Sequence, residues 1–261
     1  MRSAGFILAC MLLAGCTTSL ERAEQRAQAS GLKAVVLAGG SFSLKSFERE
    51  ALGSHAMVFI EGDGRPWRSG GRVLADDPTP RRLLALQWMQ QVPGPALYLG
   101  RPCYLRSTAE QPCGAMLWSY ARYSEQVLQS MTMALEEWLH RRDGITSLTL
   151  VGHSGGGVLA LLLAERVLIT NKVVVLSAPV DIDLWTELHG YTPLFASLNP
   201  VKQQEWRTGV QRRFYFGEHD AQVPAEHFVP AARRIPNAQV AVVSGAGHDC
   251  CDPDIWFASP D

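Results

Sequence analysis

Residues 145–166, ITSLTLVGHSGGGVLALLLAER, constrain this chain more than any other stretch. Ile145, Leu148, Leu150 and Val151, interleaved with Thr146 and Thr149, have the composition of a buried central strand. An apolar helix follows from the glycines onward. Between the two stands Gly152-His153-Ser154-Gly155-Gly156, which has the G-x-S-x-G spacing of a strand-to-helix elbow that presents a serine. The spacing has a steric cause. At so sharp a turn the strand and helix backbones nearly touch, and side chains two residues before and after the serine would be caught between them. The turn lifts Ser154 above the sheet as a candidate nucleophile. It also aims the N–H of Gly155 at any oxyanion formed there, with the positive end of the helix behind it.

The rest of the chain has to build a sheet around that strand. Its 261 residues suit one α/β domain, and a hydrophobic share of 47% is enough for a full core. With 24 basic against 25 acidic residues, nothing in the charge argues for nucleic acid or an anionic membrane surface as partner. No internal repeat or low-complexity segment interrupts the pattern.

The N-terminus carries its own signal. Met1-Arg2 is followed by an apolar run at residues 6–14, too short to span a bilayer comfortably. Leu13-Ala14-Gly15-Cys16 resembles the lipobox of bacterial lipoproteins. That resemblance implies a signal peptide and lipobox over residues 1–16, with Cys16 as the lipidated first residue of the mature chain. Thr17, rather than aspartate, follows it, which favours an anchor in the outer membrane of the cell envelope, facing the periplasm. Residues 17–31 are polar and alanine-rich and read as a tether or short surface helix. The domain proper is expected over residues 32–261.

Strands are expected at residues 34–38, 55–60, 96–99, 172–176, 213–216 and 240–243. A second strand at 41–47 is joined to the first by Gly39-Gly40 as a bent or hairpin-linked edge pair. Helices are expected at about 81–91, capped by the Asp76–Pro80 segment, and at 123–141. Strands alternating with helices imply a mostly parallel sheet with helices on both faces. Residues 181–209, of mixed polarity with two prolines, read as a small cap over the site. Trp185, His189, Tyr191 and Phe195 are its candidate pocket aromatics. Arg101, just beyond the strand at 96–99, stands at the edge where α/β folds bind ligands, and reads equally as a residue that shapes the site or as one that supports its loop.

Three chemical signals occur in one order: Ser154 after the central strand, Asp220 after a late strand, His248 after the last. Serine, acid, histidine is the chain order of the α/β-hydrolase triad. The segments EGDGRPW, LGRPC, GHSGGG, GEHDAQVP and GHDCC resemble that superfamily, and within it a subgroup of bacterial lipoprotein serine hydrolases. The resemblance implies ester- or amide-type acyl transfer and no particular substrate; carboxylesterase-like action on a small-molecule ester is the first expectation, with amide or peptide cleavage as the alternative and no cofactor. A third alternative is a non-catalytic envelope lipoprotein that uses the fold for binding. The resemblance also implies that the loop after the third strand supplies a second oxyanion donor, Gly62 or Asp63, with Glu61 where such proteins commonly have histidine. His153, His219 and His227 are rival bases, the His153 side chain being expected to point away from the site as an elbow neighbour does; Glu218, Asp181 and Asp183 are rival acids; Asp249 reads as a loop hydrogen-bonder. No spacing of histidines, cysteines and carboxylates has the regularity of a zinc site.

Four cysteines remain beyond the lipobox, and an oxidising compartment favours their pairing. Of three connectivities, Cys103 with Cys113 is favoured because the two bracket one loop; a vicinal Cys250–Cys251 bridge would be unusual.

Overall fold

The computed structural model describes residues 17–106 and 112–257; the signal segment, Cys16 and the lipobox lie outside the described residues. The chain begins with helix α1 (Ser19–Ala29) and the strands β1 (Lys33–Gly39), β2 (Phe42–Arg49) and β3 (His55–Ile60). A short ribbon of β4 (Trp67–Arg68) and β5 (Val73–Leu74) precedes α2 (Leu84–Gln91) and β6 (Ala96–Tyr98). Then come α3 (Glu125–His140), β7 (Ser147–His153), α4 (Gly155–Ala164) and β8 (Thr170–Leu176). The remaining elements are α5 (Ile182–Leu188), β9 (Gln211–Gly217), α6 (Ala225–Ala232), β10 (Ala238–Val243) and α7 (Pro253–Trp256).

Eight strands form one sheet in the order β1-β2-β6-β3-β7-β8-β9-β10. Pairing is antiparallel at β1–β2 and β2–β6, and parallel from β6 to β10. The sheet is therefore mostly parallel, and β7 lies inside it with β3 and β8 as neighbours. Alternation along β7 serves two cores. Leu148 and Leu150 join the cluster under α3, α4 and α6, while Val151 joins the one under α1, α2 and α7. Helix α4 is buried on every side, as its apolar composition requires of a helix with no solvent face.

One boundary differs from the sequence expectation for a physical reason. Helix α2 starts at Leu84 rather than near residue 81, and its N-cap residue Leu83 offers no side-chain bond. The expected caps are used elsewhere. Asp77 Oδ1 accepts from the N–H of Thr79 (2.9 Å), and Thr79 Oγ1 accepts from the N–H of Leu105 (2.7 Å). The helix is capped from outside instead, by the Glu61 carboxyl on the N–H of Ala85 (3.2 Å). Residues 19–29 are helical from a capping box of Thr18 and Glu21 onward, with Leu20, Ala23 and Ala27 buried against the domain.

The cap consists of α5 and a 3-10 turn at Pro200–Lys202. Asp181 begins α5 by accepting from the N–H of Leu184 (3.3 Å) and is tied to Asn199 Nδ2 (2.9 Å). Cys103 and Cys113 are disulfide-bonded, with Cα atoms 5.5 Å apart, and Cys250 and Cys251 are bridged to each other. Among the described residues no helix is long and apolar enough to cross a membrane.

Candidate active site

Ser154 joins β7 to α4 at φ 52°, ψ −124°, a conformation that costs a non-glycine residue free energy and persists only where its surroundings enforce it. The enforcement is steric. A Cβ on Gly152 would collide with the backbone of Gly156, and one on Gly156 would collide with the carbonyl of Ile60 at the end of β3. Glycine at both positions lets β3, β7 and α4 converge on the serine.

Across the mouth of the sheet, the β9 and β10 loops bring two more groups to it. His248 Nε2 lies 3.1 Å from Ser154 Oγ, and its Nδ1 lies 2.9 and 3.1 Å from the two carboxylate oxygens of Asp220. A carboxylate can only accept, so Nδ1 carries the proton and Nε2 is left to accept from the serine hydroxyl. Asp220 is itself held by the N–H groups of Gln222 (2.8 Å) and Val223 (2.9 Å). Burial alone would raise its pKa; the His248 hydrogen bond and these backbone donors outweigh burial and hold it below the usual aspartate value.

The rival groups are engaged elsewhere. Glu218 accepts from Ser244 Oγ and the N–H of Gly245, both at 2.8 Å. Asp183 pairs with Lys202, while His219 and His227 are exposed beside Glu218 and Glu226. Asp249 forms an ion pair with Arg82 (2.6 Å). His153 does not turn away from the site as an elbow neighbour is expected to. Its ring lies 5.0 Å from that of His248, and its Nε2–H donates to the His248 carbonyl (2.8 Å). Burial, then the nearby His248, lowers its pKa to about 4, so it is a neutral buttress for the histidine loop.

The loop after β3 supplies the opposite wall. Gly62 packs against Ser154, where an added Cβ would lie 3.3 Å from the serine Cβ. The Gly62 N–H points at Glu61 Oε1 (3.4 Å), a long and weak bond, whereas no acceptor for the Asp63 N–H occurs among the described residues. The Asp63 carboxylate rests against the Cα of Gly155 and receives Arg101 Nη1 (2.9 Å), Arg122 Nη1 (3.0 Å) and the Tyr123 hydroxyl. Tyr104 Oη donates to the Asp63 carbonyl (3.1 Å). Burial would raise the Asp63 pKa, but Arg122 and Arg101 together hold it below the ordinary value. Arg101 was legible in the sequence only as a loop residue near the ligand edge. Arg122 and Tyr123, at separations of 59 and 60 residues from Asp63, carried no local signal.

Glu61 is fully buried, and burial pushes its pKa up to about 8 against the backbone donors around it. The sign of its linkage follows. Between the ordinary glutamate value and about 8, the folded chain holds a proton the unfolded chain has released, so stability falls as pH rises through that window. Glu61→Gln, neutral at every pH, is expected to remove a loss of up to about 1.4 kcal/mol per pH unit. Thermal unfolding of both proteins from pH 5 to 8.5 measures it, and parallel profiles would refute the assignment.

These walls enclose a cavity of about 880 Å³. Ser154, His248 and His153 line its base, with Trp185, Tyr191 and Leu194 from the cap. Of the other candidate aromatics, His189 stacks on Tyr191 and Phe195 on Tyr120, each with ring centroids 5.2 Å apart. Among the described residues no three histidines, cysteines or carboxylates converge as a metal site would require.

Residues 104–183 match the family described as Lipase (class 3), a minority of the chain that includes the elbow. No curated protein matches. Solved structures match over most of their length. An esterase from Pyrococcus furiosus is 12% identical with a TM-score of 0.60, covering 85% of this chain and 86% of its own. A putative α/β hydrolase from Agrobacterium tumefaciens is 14% identical with a TM-score of 0.55, covering 83% and 87%. A proline iminopeptidase-related protein from Thermus thermophilus is 13% identical with a TM-score of 0.59, covering 84% and 91%. Likeness at this identity concerns the fold. This chain has the α/β-hydrolase fold, with a cap inserted after β8.

Proposed function

We propose that this chain of α/β-hydrolase fold is a serine hydrolase that cleaves carboxylic esters through an acyl-enzyme intermediate. One observation carries the reading: a serine in a sterically enforced elbow within 3.1 Å of a histidine nitrogen whose ring partner is a buried aspartate. His248 Nε2 takes the Ser154 proton as Oγ attacks the ester carbonyl, and returns it to the departing alkoxide. Asp220 holds the tautomer and stabilises the imidazolium. The N–H groups of Gly155 and Asp63 receive the oxyanion, Gly62 being turned towards Glu61. Water then attacks the acyl carbon, His248 accepts its proton, and Ser154 leaves as the hydroxyl. The test is fluorophosphonate labelling followed by peptide mapping. Stoichiometric adduct on Ser154, absent in Ser154→Ala and slowed in His248→Ala, is expected; an unlabelled folded protein would overturn the reading.

Export and anchoring belong to the same proposal. The apolar run and Leu13-Ala14-Gly15-Cys16 support lipid on Cys16, holding the domain at the outer membrane facing the periplasm. Helix α1 begins close behind, at Ser19, and packs on the domain, which would keep the catalytic body near the bilayer. A palmitate analogue fed to expressing cells is expected to label the wild type and not Cys16→Ser; equal labelling would refute it.

A further inference from the structure

The buried cluster behind the oxyanion loop is unbalanced in charge. Arg101 and Arg122, both almost fully buried, share the single carboxylate of Asp63. Glu61, the other acid in this wall, is kept in its neutral form by burial up to about pH 8. Tyr104 and Tyr123 are buried phenols whose ionisation burial makes still harder. Arg101 Nε and Nη2 are buried without a hydrogen-bond partner among the described residues, although the guanidinium lies over the Tyr104 ring, 4.4 Å from its centroid. A cationic excess in a desolvated wall is costly unless an anion completes it.

Arg122 connects that wall to the cavity. Its Nε donates to the Ser119 carbonyl (2.7 Å) and its Nη1 to Asp63 (3.0 Å). Its Nη2 has no partner among the described residues, and Arg122 lines the cavity. The same cavity is lined by Arg65, exposed and without a side-chain partner among the described residues. Arg82, also in the lining, is neutralised by Asp249. With Asp63 and Asp249 already paired, the cavity offers two guanidinium groups and no unpaired carboxylate to oppose them. This local excess is not inherited from a basic chain, whose net charge is −1.

We propose that Arg122 and Arg65 form an anion subsite beside the nucleophile, so that the ester this protein takes bears a carboxylate group. The proposal rests on Ser154 being the nucleophile only for the word ester; the anion subsite stands on the arginines. Arg122 Nη2 can donate one charge-assisted hydrogen bond to a carboxylate and the exposed Arg65 guanidinium another, contacts that a neutral acyl chain cannot accept. Held in a cavity partly screened from water, such a contact discriminates by about 10- to 100-fold.

Two ester pairs and one non-reacting ligand test it. Mono-p-nitrophenyl glutarate against p-nitrophenyl valerate places the carboxylate on the acyl side. 4-Carboxyphenyl butyrate against 4-carbamoylphenyl butyrate places it on the alcohol side. The expected result is a kcat/KM advantage of about 10-fold or more for the charged member of one pair, carried mainly in KM. Arg122→Gln is expected to lower the ratio of charged to neutral kcat/KM while slowing both members, because Arg122 also holds Asp63 in the oxyanion loop. Arg65→Gln, at an exposed position, is expected to reduce the same ratio and covers the case in which the Arg122 variant does not fold. Calorimetric titration with glutarate reads the subsite without turnover, and saturable binding that weakens in either variant is expected. Glutarate binding without hydrolysis of any ester would uphold the subsite and overturn the hydrolase reading. Hydrolysis of neutral esters with no charged preference and no glutarate binding would overturn the subsite and leave the hydrolase reading in place. A preference undiminished in both variants would equally overturn the assignment to these arginines.

Discussion

Ser154→Ala is expected to lower ester turnover by about 10⁶-fold with KM little changed, because in the proposed mechanism it removes the atom that forms the covalent intermediate. His248→Ala is expected to cost a similar factor, since a neutral serine hydroxyl is a poor nucleophile without a base 3.1 Å away. The double variant should be no worse than either single one. In the proposed mechanism the two groups act in one step, so their losses do not add. Asp220→Asn is expected to fall less far, by about 10⁴-fold. The amide can donate to Nδ1 and stabilise the tautomer with its proton on Nε2, which cannot then accept from Ser154. Steady-state kinetics on one activated ester, with circular dichroism to verify folding, checks the series. Retention of more than a tenth of wild-type kcat in folded Ser154→Ala would remove the serine from the mechanism.

The largest expected effect on stability is at Asp63. Asp63→Ala leaves Arg101 and Arg122 buried with no counter-ion, where wild type has contacts of 2.9 and 3.0 Å to the carboxylate. Removing one member of a buried ionic group costs about 3–5 kcal/mol, because the remaining charges cannot regain water. The Tyr123 hydroxyl loses its acceptor in the same step. The loss should appear as a lower urea midpoint with little change in slope. Replacing all three ionic residues by apolar ones of similar size is expected to recover much of it, since no charge is then left in the wall. A shift of less than about 1 kcal/mol in Asp63→Ala would show that water reaches the two guanidinium groups. Asp63→Ala should also slow turnover, because the same network fixes the backbone whose N–H is proposed to receive the oxyanion.

What could be read along the chain is what depends on neighbours in sequence. The elbow was legible because the conflict that selects Gly152 and Gly156 arises within five residues, and the fold around it because buried parallel strands need apolar runs of fixed length. The placement of Asp220 and His248 at strand ends follows from the order in which an α/β sheet delivers its loops to one edge.

What only the tertiary structure decided depends on residues distant in sequence. Local pattern assigned the cap of α2 to the Asp76–Pro80 segment; in the fold those polar groups hold other loops, and Glu61 reaches in from 24 residues away. Local pattern likewise left the second oxyanion donor open between Gly62 and Asp63. The proposed choice of Asp63 rests on where Glu61 points and on two arginines and a tyrosine 38 to 60 residues away. His153 was expected to turn from the site, but it packs under His248, whose carbonyl offers its buried ring the acceptor it needs. In each case the deciding quantity is the cost of burying a charge or a polar group unpaired, and that cost exists only once the chain has closed around it.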